Sequence, residues 1–246
     1  MTAPFSHAMV LAAGLGLRMR PITLTIPKPL VPVAGRTMLD RALDALDAAG
    51  VSQIVVNCHW LGEKIRDHLA GRPEIVLSPE DELLETGGGV THALPHLGDA
   101  AFFVVNADIL WTEGAVPALE RLRAAWDDSR MDALLLLHPT ATAVGHDGPG
   151  DFFLEPDGRP RRRGDATRAP YLFTGVQSLH PRLFEGAPSG RFSLNVLYDR
   201  ALARGRLAAI VHDGGWFHVG TPEALPAVEA RLRDVQTTSG AASDTR

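Results

Sequence analysis

Lysine is almost missing from this 246-residue chain: Lys28 and Lys64 are its whole complement, and the other 22 basic side chains are arginine. That bias reads more simply as genomic base composition than as phosphate recognition, and it makes each lysine worth inspecting. There is one cysteine, Cys58, which excludes an internal disulfide framework and any cysteine-based zinc site and makes a reducing, cytoplasmic compartment the default. Cys58 itself reads as a small buried hydrophobe. No apolar run reaches the ~18–20 residues of a membrane span, and MTAPFSH lacks the features of a secretion signal. Positive charge is not in excess either. With 24 basic and 29 acidic side chains the net charge is −5, which gives no electrostatic reason to expect nucleic acid as a partner. No zincin motif occurs, Ser189 lies outside any Gly-x-Ser-x-Gly elbow, and Pro95 spoils His92 and His96 as a helical metal pair.

What is present is a βα rhythm. His7 to Ala13, Ser52 to Cys58, Glu74 to Ser78, Ala101 to Asn106 and Asp132 to His138 are short apolar runs that read as buried parallel strands. Between them, Met38 to Ala49, Leu61 to Ala70, Gly89 to Leu97 (after a Gly-Gly-Gly turn) and Val116 to Trp126 read as helices. The pattern calls for an α/β fold, a parallel sheet with helices on both faces. After Pro139 the chain turns to loop and short strands, Asp151 to Glu155 and Tyr171 to Ser178, split by a basic turn PRRRGD. Leu194 to Ala203 (helix), Leu207 to His212 (strand) and a helix from Pro222 to Val235 follow. One domain over residues 1–236 is expected, with a cap inserted within about 139–205 and a disordered polar tail over 237–246.

In parallel sheets ligands sit beyond the carboxyl ends of the strands, so the loop after the first strand carries most information. It reads LAAGLGLRMRPITLTIPKPLVPVAGRTML over 11–39. Gly14 and Gly16 let a ligand approach the backbone, Arg18 and Lys28 add cations, and four prolines stiffen the loop, a design suited to a polyphosphate. It is neither a dinucleotide fingerprint, since Met19 replaces the third glycine, nor a Walker A loop, since Gly-Lys-Ser/Thr is absent.

With these residues the chain resembles the sugar-1-phosphate nucleotidylyltransferases, whose pattern is LAAGxGxRxxPxT followed by KPLxPVxGxPxL. The likeness continues through ETGGG at 85–89, VNAD at 105–108, LFTG at 172–175 and WFHVGTP at 216–222. It implies a Rossmann-like, mostly parallel mixed sheet with a small sugar-binding cap, and a reaction joining an NTP to a sugar 1-phosphate with release of pyrophosphate. The short length and the ETGGG wording are most similar to the branch that couples UTP to N-acetylmuramate 1-phosphate in cell-wall recycling. Glucose, mannose or heptose phosphates, another NTP, or a metal-less nucleotide-sugar sensor stay open as alternatives. The partners implied are these small molecules, with a monomer or homodimer equally allowed.

The resemblance also implies residue roles. Ala12, Ala13, Gly14, Gly16, Leu17 and Arg18 would hold the triphosphate, Arg18 on its outer phosphates, with Lys28 near the α-phosphate. Pro79 and Gly88 would meet the base, with Thr86 as a possible helix cap, and Asn106 would also bind nucleotide. Gly150, Asp151, Thr174 and Gly175 would face the sugar, with Arg161, Arg162 or Arg163 replacing a missing sugar-phosphate lysine. Asp108 would bind Mg²⁺, or Mn²⁺, as cofactor. His218 stands where relatives carry a second carboxylate. It is expected to ligate a softer metal, to hydrogen-bond phosphate or metal-bound water, or to mark a crippled site, with Asp213 as a possible replacement.

Overall fold

The computed structural model describes residues 3–243, with side chains to residue 233. In chain order the apolar run at the amino end forms β1 (His7–Leu11), and the proline-rich loop closes on a small hairpin, β2 (Pro32–Val33) and β3 (Arg36–Thr37). Thr37 then caps α1 (Met38–Ala48), its Oγ1 accepting from the Asp40 N–H at 3.0 Å, and the helix buries Leu39, Leu43 and Leu46. Next come β4 (Gln53–Cys58), α2 (Gly62–His68), β5 (Ile75–Pro79), α3 (Glu85–Ala93), β6 (Phe102–Asn106), β7 (Ile109–Trp111), α4 (Ala118–Ala125) and β8 (Ala133–Pro139). The remainder supplies β9 (Phe152–Leu154), β10 (Pro160–Arg162), β11 (Tyr171–Leu179), α5 (Asn195–Ala203), β12 (Leu207–Val211), β13 (Trp216–His218) and α6 (Ala224–Ser243).

Among the described residues nine strands form one mixed sheet. β1 lies at its centre, parallel to β4 and β6, and β5 extends the β4 edge in parallel. The other half hangs on β11, antiparallel to both β6 and β8, with β12 parallel to β8. Alternation along the strands sorts the core into two layers. Ala8, Val10, Val56, Phe103, Val105, Leu134 and Leu136 meet α1 and α4 on one face, while Met9, Val55, Phe102, Val104, Leu135 and Leu137 meet α3 and α5 on the other. Burial on both faces is why these strands read as unbroken apolar runs. A separate antiparallel ribbon, β7 with β13, packs with α6 around Met19, Val33, Met38, Leu110, Phe217 and Val228.

Four expectations need correction. The triple glycine is not a turn before a helix: α3 begins at Glu85, so Gly87, Gly88 and Gly89 lie inside it, buried. The basic turn PRRRGD contributes a strand, β10, paired with β9 through Arg161↔Phe153, where the guanidinium covers the Phe153 ring. The stretch 139–205 is only partly an insertion, because β11 and α5 belong to the central sheet and its helical layer. The last helix starts at Ala224 rather than Pro222 and runs through residues 237–243 of the expected polar tail; residues 244–246 lie outside the described residues.

Candidate active site

The carboxyl ends of β1, β4, β5 and β6 open onto a cleft of about 380 Å³ whose lining includes Ala12, Ala13, Gly14, Lys28, Asn106 and Asp108. Its floor is set by a buried chain of hydrogen bonds. The Ala12 N–H donates to Asn57 Oδ1 (2.7 Å), Asn57 Nδ2 to Glu80 Oε1 (2.6 Å), and the Leu84 N–H to Glu80 Oε2 (2.9 Å). This ties the loop after β1 to the ends of β4 and β5. Gly14 faces open space: a methyl group built there would touch nothing within 4 Å. Gly16 serves packing instead. At φ +61° its bare Cα admits Thr23 and Lys28, since an added Cβ would lie 2.9 Å from Thr23 Cγ2 and 3.1 Å from Lys28 Cβ.

Lys28 fits into that room, 8% exposed, on a short helical turn between Pro27 and Pro29. Its Nζ donates to Asp108 Oδ2 at 2.6 Å. On the other side, His218 Nε2 lies 3.8 Å from the same Oδ2. Burial pushes the Asp108 carboxyl up, but His218 and Lys28 outweigh it and hold Asp108 well below the usual carboxylate range. Asp108 is therefore an anion at neutral pH, facing two groups able to carry positive charge. Beyond His218 a second cleft is lined by Arg18, Gly145, His146, Gly220 and Thr221. Arg18 is exposed there, and so is Leu17 on the same turn. The Asp108–His218 pair stands between the two clefts.

The other expected residues divide. Asn106 ends β6 in the first cleft, and Gly175 makes room for it, since a Cβ at 175 would sit 2.9 Å from Asn106 Nδ2. Pro79 closes β5 and is exposed, outside the first cleft's lining. Gly88 is spent on structure: Gly87 and Gly88 N–H both donate to the Phe192 carbonyl, and a Cβ at 88 would overlap the Gly190 carbonyl. Thr86 caps no helix but accepts from the Leu194 N–H at 3.0 Å and lines the cleft. Gly150, Asp151 and Thr174 gather around β11, away from that lining. Asp151 Oδ2 accepts from the Phe173 N–H, the Gly150 carbonyl from Arg163 Nε, and Thr174 Oγ1 donates to the Leu136 carbonyl. Arg161 pairs with Glu155, Arg162 with Asp199, and Arg163 holds the carbonyls of Gly150 and Ala166. Asp213 is held by Arg121, outside both clefts.

Asn57 and Ser193 were not anticipated, although both line the cleft. For Asn57 the signal was there, a polar residue near the end of the otherwise apolar run QIVVNC. Ser193 carried none. The segment 190–194 is drawn over α3 by contacts distant in sequence, among them Arg191 on Glu85 at 2.7 Å. Glu85, at φ +60°, also turns into the cleft. A magnesium ion carried with phosphate fits this donor set, because Mg²⁺ asks for one or two carboxylates and takes its other ligands from phosphate and water. Asp108 offers the carboxylate, and no group of three or more His, Cys, Asp or Glu among the described residues could hold a metal alone.

Comparison with known proteins places this geometry. The MobA-like NTP transferase domain matches residues 8–229. The chain is 44% identical to the N-acetylmuramate alpha-1-phosphate uridylyltransferase of Caulobacter vibrioides, over 92% of this chain and 97% of that protein. It is 35% identical to the protein of the same name from Neisseria meningitidis serogroup B, over 95% and 98% of the two. Among solved structures, a putative glucose-1-phosphate thymidylyltransferase from Bacillus anthracis superposes with a TM-score of 0.78 at 20% identity, over 93% of this chain and 95% of that one. HddC from Yersinia pseudotuberculosis, complexed with GMP-PN, gives 0.73 at 20% identity, over 92% and 99%. These two carry the fold alone. The doubly covered, mostly parallel sheet is the architecture they share.

Proposed function

Because this chain belongs to the MobA-like NTP transferase family, we propose that it is a nucleotidylyltransferase joining UTP to N-acetylmuramate 1-phosphate, with release of pyrophosphate. The observation that carries this reading is the Lys28–Asp108 pair, 2.6 Å long, on the floor of the strand-end cleft. The two relatives that match over nearly their whole length support the choice of nucleotide and sugar. Use of N-acetylmuramate 1-phosphate would place the enzyme in cell-wall sugar recycling, in the cytoplasm where UTP is made.

In such a reaction a sugar-phosphate oxygen attacks the α-phosphorus in line and pyrophosphate leaves. Little covalent chemistry falls to the protein. Its work is to align the reactants and neutralise the spreading negative charge. The Ala12–Gly14 backbone, anchored through Asn57, lets the nucleotide lie close to the strand end. Lys28, buried and paired with Asp108, sets its ammonium against the α-phosphate. Arg18, in the second cleft beside His218, receives the outer phosphates and holds them as pyrophosphate departs. Asp108 would hold a divalent cation, which when bound supplies further positive charge to the phosphates. Uracil lies toward Thr86, Glu80 and the end of β5, and the sugar toward Asn106 and Gly175.

Pyrophosphate release measured over a panel of NTPs and sugar 1-phosphates tests the proposal. Turnover with UTP and N-acetylmuramate 1-phosphate, well above every other pair, is expected. Silence across the panel with retained UTP binding overturns it in favour of a nucleotide sensor.

A further inference from the structure

We propose that the cation of this site is held by a carboxylate–imidazole pair, Asp108 Oδ2 with His218 Nε2, and that the imidazole shifts its preference from Mg²⁺ toward first-row transition ions such as Mn²⁺ and Co²⁺. The inference rests on the reading of the cleft as a nucleotidyl-transfer site, and concerns which ion serves it.

Backbone pairing fixes the two side chains together. In the β7–β13 ribbon His218 is registered opposite Ile109, the residue that follows Asp108. The segment 144–145 runs beside β13 and locks it further: the Val144 N–H donates to the Trp216 carbonyl at 3.1 Å, and the His218 N–H to the Val144 carbonyl at 2.9 Å. This brings the Gly145 carbonyl to 3.3 Å from His218 Nδ1. Gly145 is at φ +75°, a conformation that glycine adopts freely, and a Cβ there would collide with the His218 carbonyl.

A carbonyl oxygen can only accept, so the Gly145 contact takes its hydrogen from Nδ1 and leaves Nε2, on the Asp108 side, as the ring nitrogen open to an ion. A second ring nitrogen donating to a backbone carbonyl is the arrangement that orients metal-binding imidazoles. The ring plane is held as well. Trp216 stacks beside it with centroids 6.1 Å apart and planes 16° from parallel. Gly220 also passes close to the ring, since a Cβ there would lie 2.8 Å from His218 Cε1.

The 3.8 Å between Nε2 and Oδ2 is too long for a hydrogen bond. It suits two ligands of one ion: with bonds of about 2.1 Å, ligand atoms stand from about 3 Å apart at a right angle to about 4.2 Å when opposed. Lys28 now claims the same oxygen at 2.6 Å, so the ion competes with an ammonium there. Two protein ligands leave the remaining positions to phosphate and water. Mg²⁺ favours an all-oxygen shell, whereas nitrogen ligands favour the later divalent ions.

The test uses the full chain with UTP and Mn²⁺ as the paramagnetic probe. Electron spin-echo spectra of the bound Mn²⁺ are expected to show ¹⁴N modulation from a directly ligated imidazole. The modulation should disappear in His218→Asp, and in His218→Gln should the first variant not fold. In the same proteins the ratio of Mg²⁺ to Mn²⁺ affinity, measured by calorimetry with UTP present, should rise on the order of tenfold in His218→Asp. Mn²⁺ bound with UTP but without nitrogen coupling, or an unchanged affinity ratio, overturns the mixed-ligand site. In that case continued pyrophosphate release with UTP leaves the proposed reaction standing. Loss of both Mn²⁺ binding and turnover in the wild-type protein sinks the two together.

Discussion

Lys28 and Asp108, 80 positions apart in the chain, form a 2.6 Å ion pair at the point where β1 and β6 end side by side. Neither residue reaches the pair by its own local structure. Lys28 sits on a short turn between Pro27 and Pro29, in the room left by the missing Cβ of Gly16, and Asp108 is presented between β6 and β7. If this ammonium neutralises charge at the α-phosphate, Lys28→Ala lowers turnover by ~10²–10³, the scale of losing one charge-stabilising donor. Single-turnover pyrophosphate release with saturating UTP measures it. A rate near wild type removes Lys28 from the reacting centre.

Two histidines behind the site make stability depend on pH. His138 and His212 are buried with ring centroids 6.0 Å apart, and Nδ1 of each has no hydrogen-bond partner among the described residues. Burial lowers both pKa values, and for His138 the neighbouring His212 lowers it further. The unfolded chain therefore takes up protons near the ordinary imidazole value, about 6.5, while the folded chain does not. Stability holds above that value and is lost as pH falls below it, by up to about 1.4 kcal/mol per pH unit for each ring. Urea midpoints between pH 7.5 and 5.5 should follow this slope, and the His138→Gln/His212→Gln double variant should flatten it. An unchanged slope in the double variant assigns the effect elsewhere.

The triple glycine gives a prediction that separates two roles. By its position in ETGGG, Gly88 reads as a base-recognition residue, yet the structure spends it on the close crossing of segment 190–192, whose Phe192 carbonyl accepts from Gly87 and Gly88. Gly88→Ala is expected to cost about 1–3 kcal/mol, as overpacking does, by lifting that segment. Thermal unfolding without nucleotide reads this loss. A variant with unchanged melting but weakened UTP binding would return Gly88 to base recognition.

Much of this architecture was legible because strands buried on both faces must be apolar throughout. AFFVVN and DALLLLH could hardly be anything else, and the register Leu11↔Asn106 brings the phosphate loop to the acid of VNAD. What escaped was pairing between distant short segments. β7 and β13 have three residues each, too few to show a period, yet their ribbon sets His218 beside Asp108. β10 was hidden because its arginines look like a solvated turn until Phe152 and Phe153 are seen beneath them. Likewise Gly87, Gly88 and Gly89 look like a flexible turn, since nothing nearby in sequence reveals the segment that crosses them. Thr174 shares its motif with Gly175, but its hydroxyl is already donated to the carbonyl of Leu136, a residue distant in sequence.

Asn57 offers the sharpest test of how the nucleotide loop is held. Its amide is 2% exposed and bridges the Ala12 N–H to Glu80, a carboxylate 6% exposed. Asn57→Ala strands both partners, at about 1–3 kcal/mol for each unsatisfied buried group, and frees residues 12–14. The expected kinetic signature is a raised KM for UTP with a smaller effect on kcat. Asn57→Asp keeps the acceptor for Ala12 but sets a second carboxylate against Glu80 where a donor stood at 2.6 Å. Two buried acids that close cannot both ionise, so the folded pair holds a proton that the unfolded chain releases at neutral pH. The folded-state pKa of the pair is raised, and its penalty is greatest above that pKa and shrinks as pH falls toward the ordinary carboxylate range. Melting temperatures of Asn57→Asp should thus lag the wild type most at pH 7.5 and approach it at pH 5.5, after allowance for the histidine slope both share. A deficit that stays constant across this interval would mean that Asn57 does not face Glu80 through its amide nitrogen.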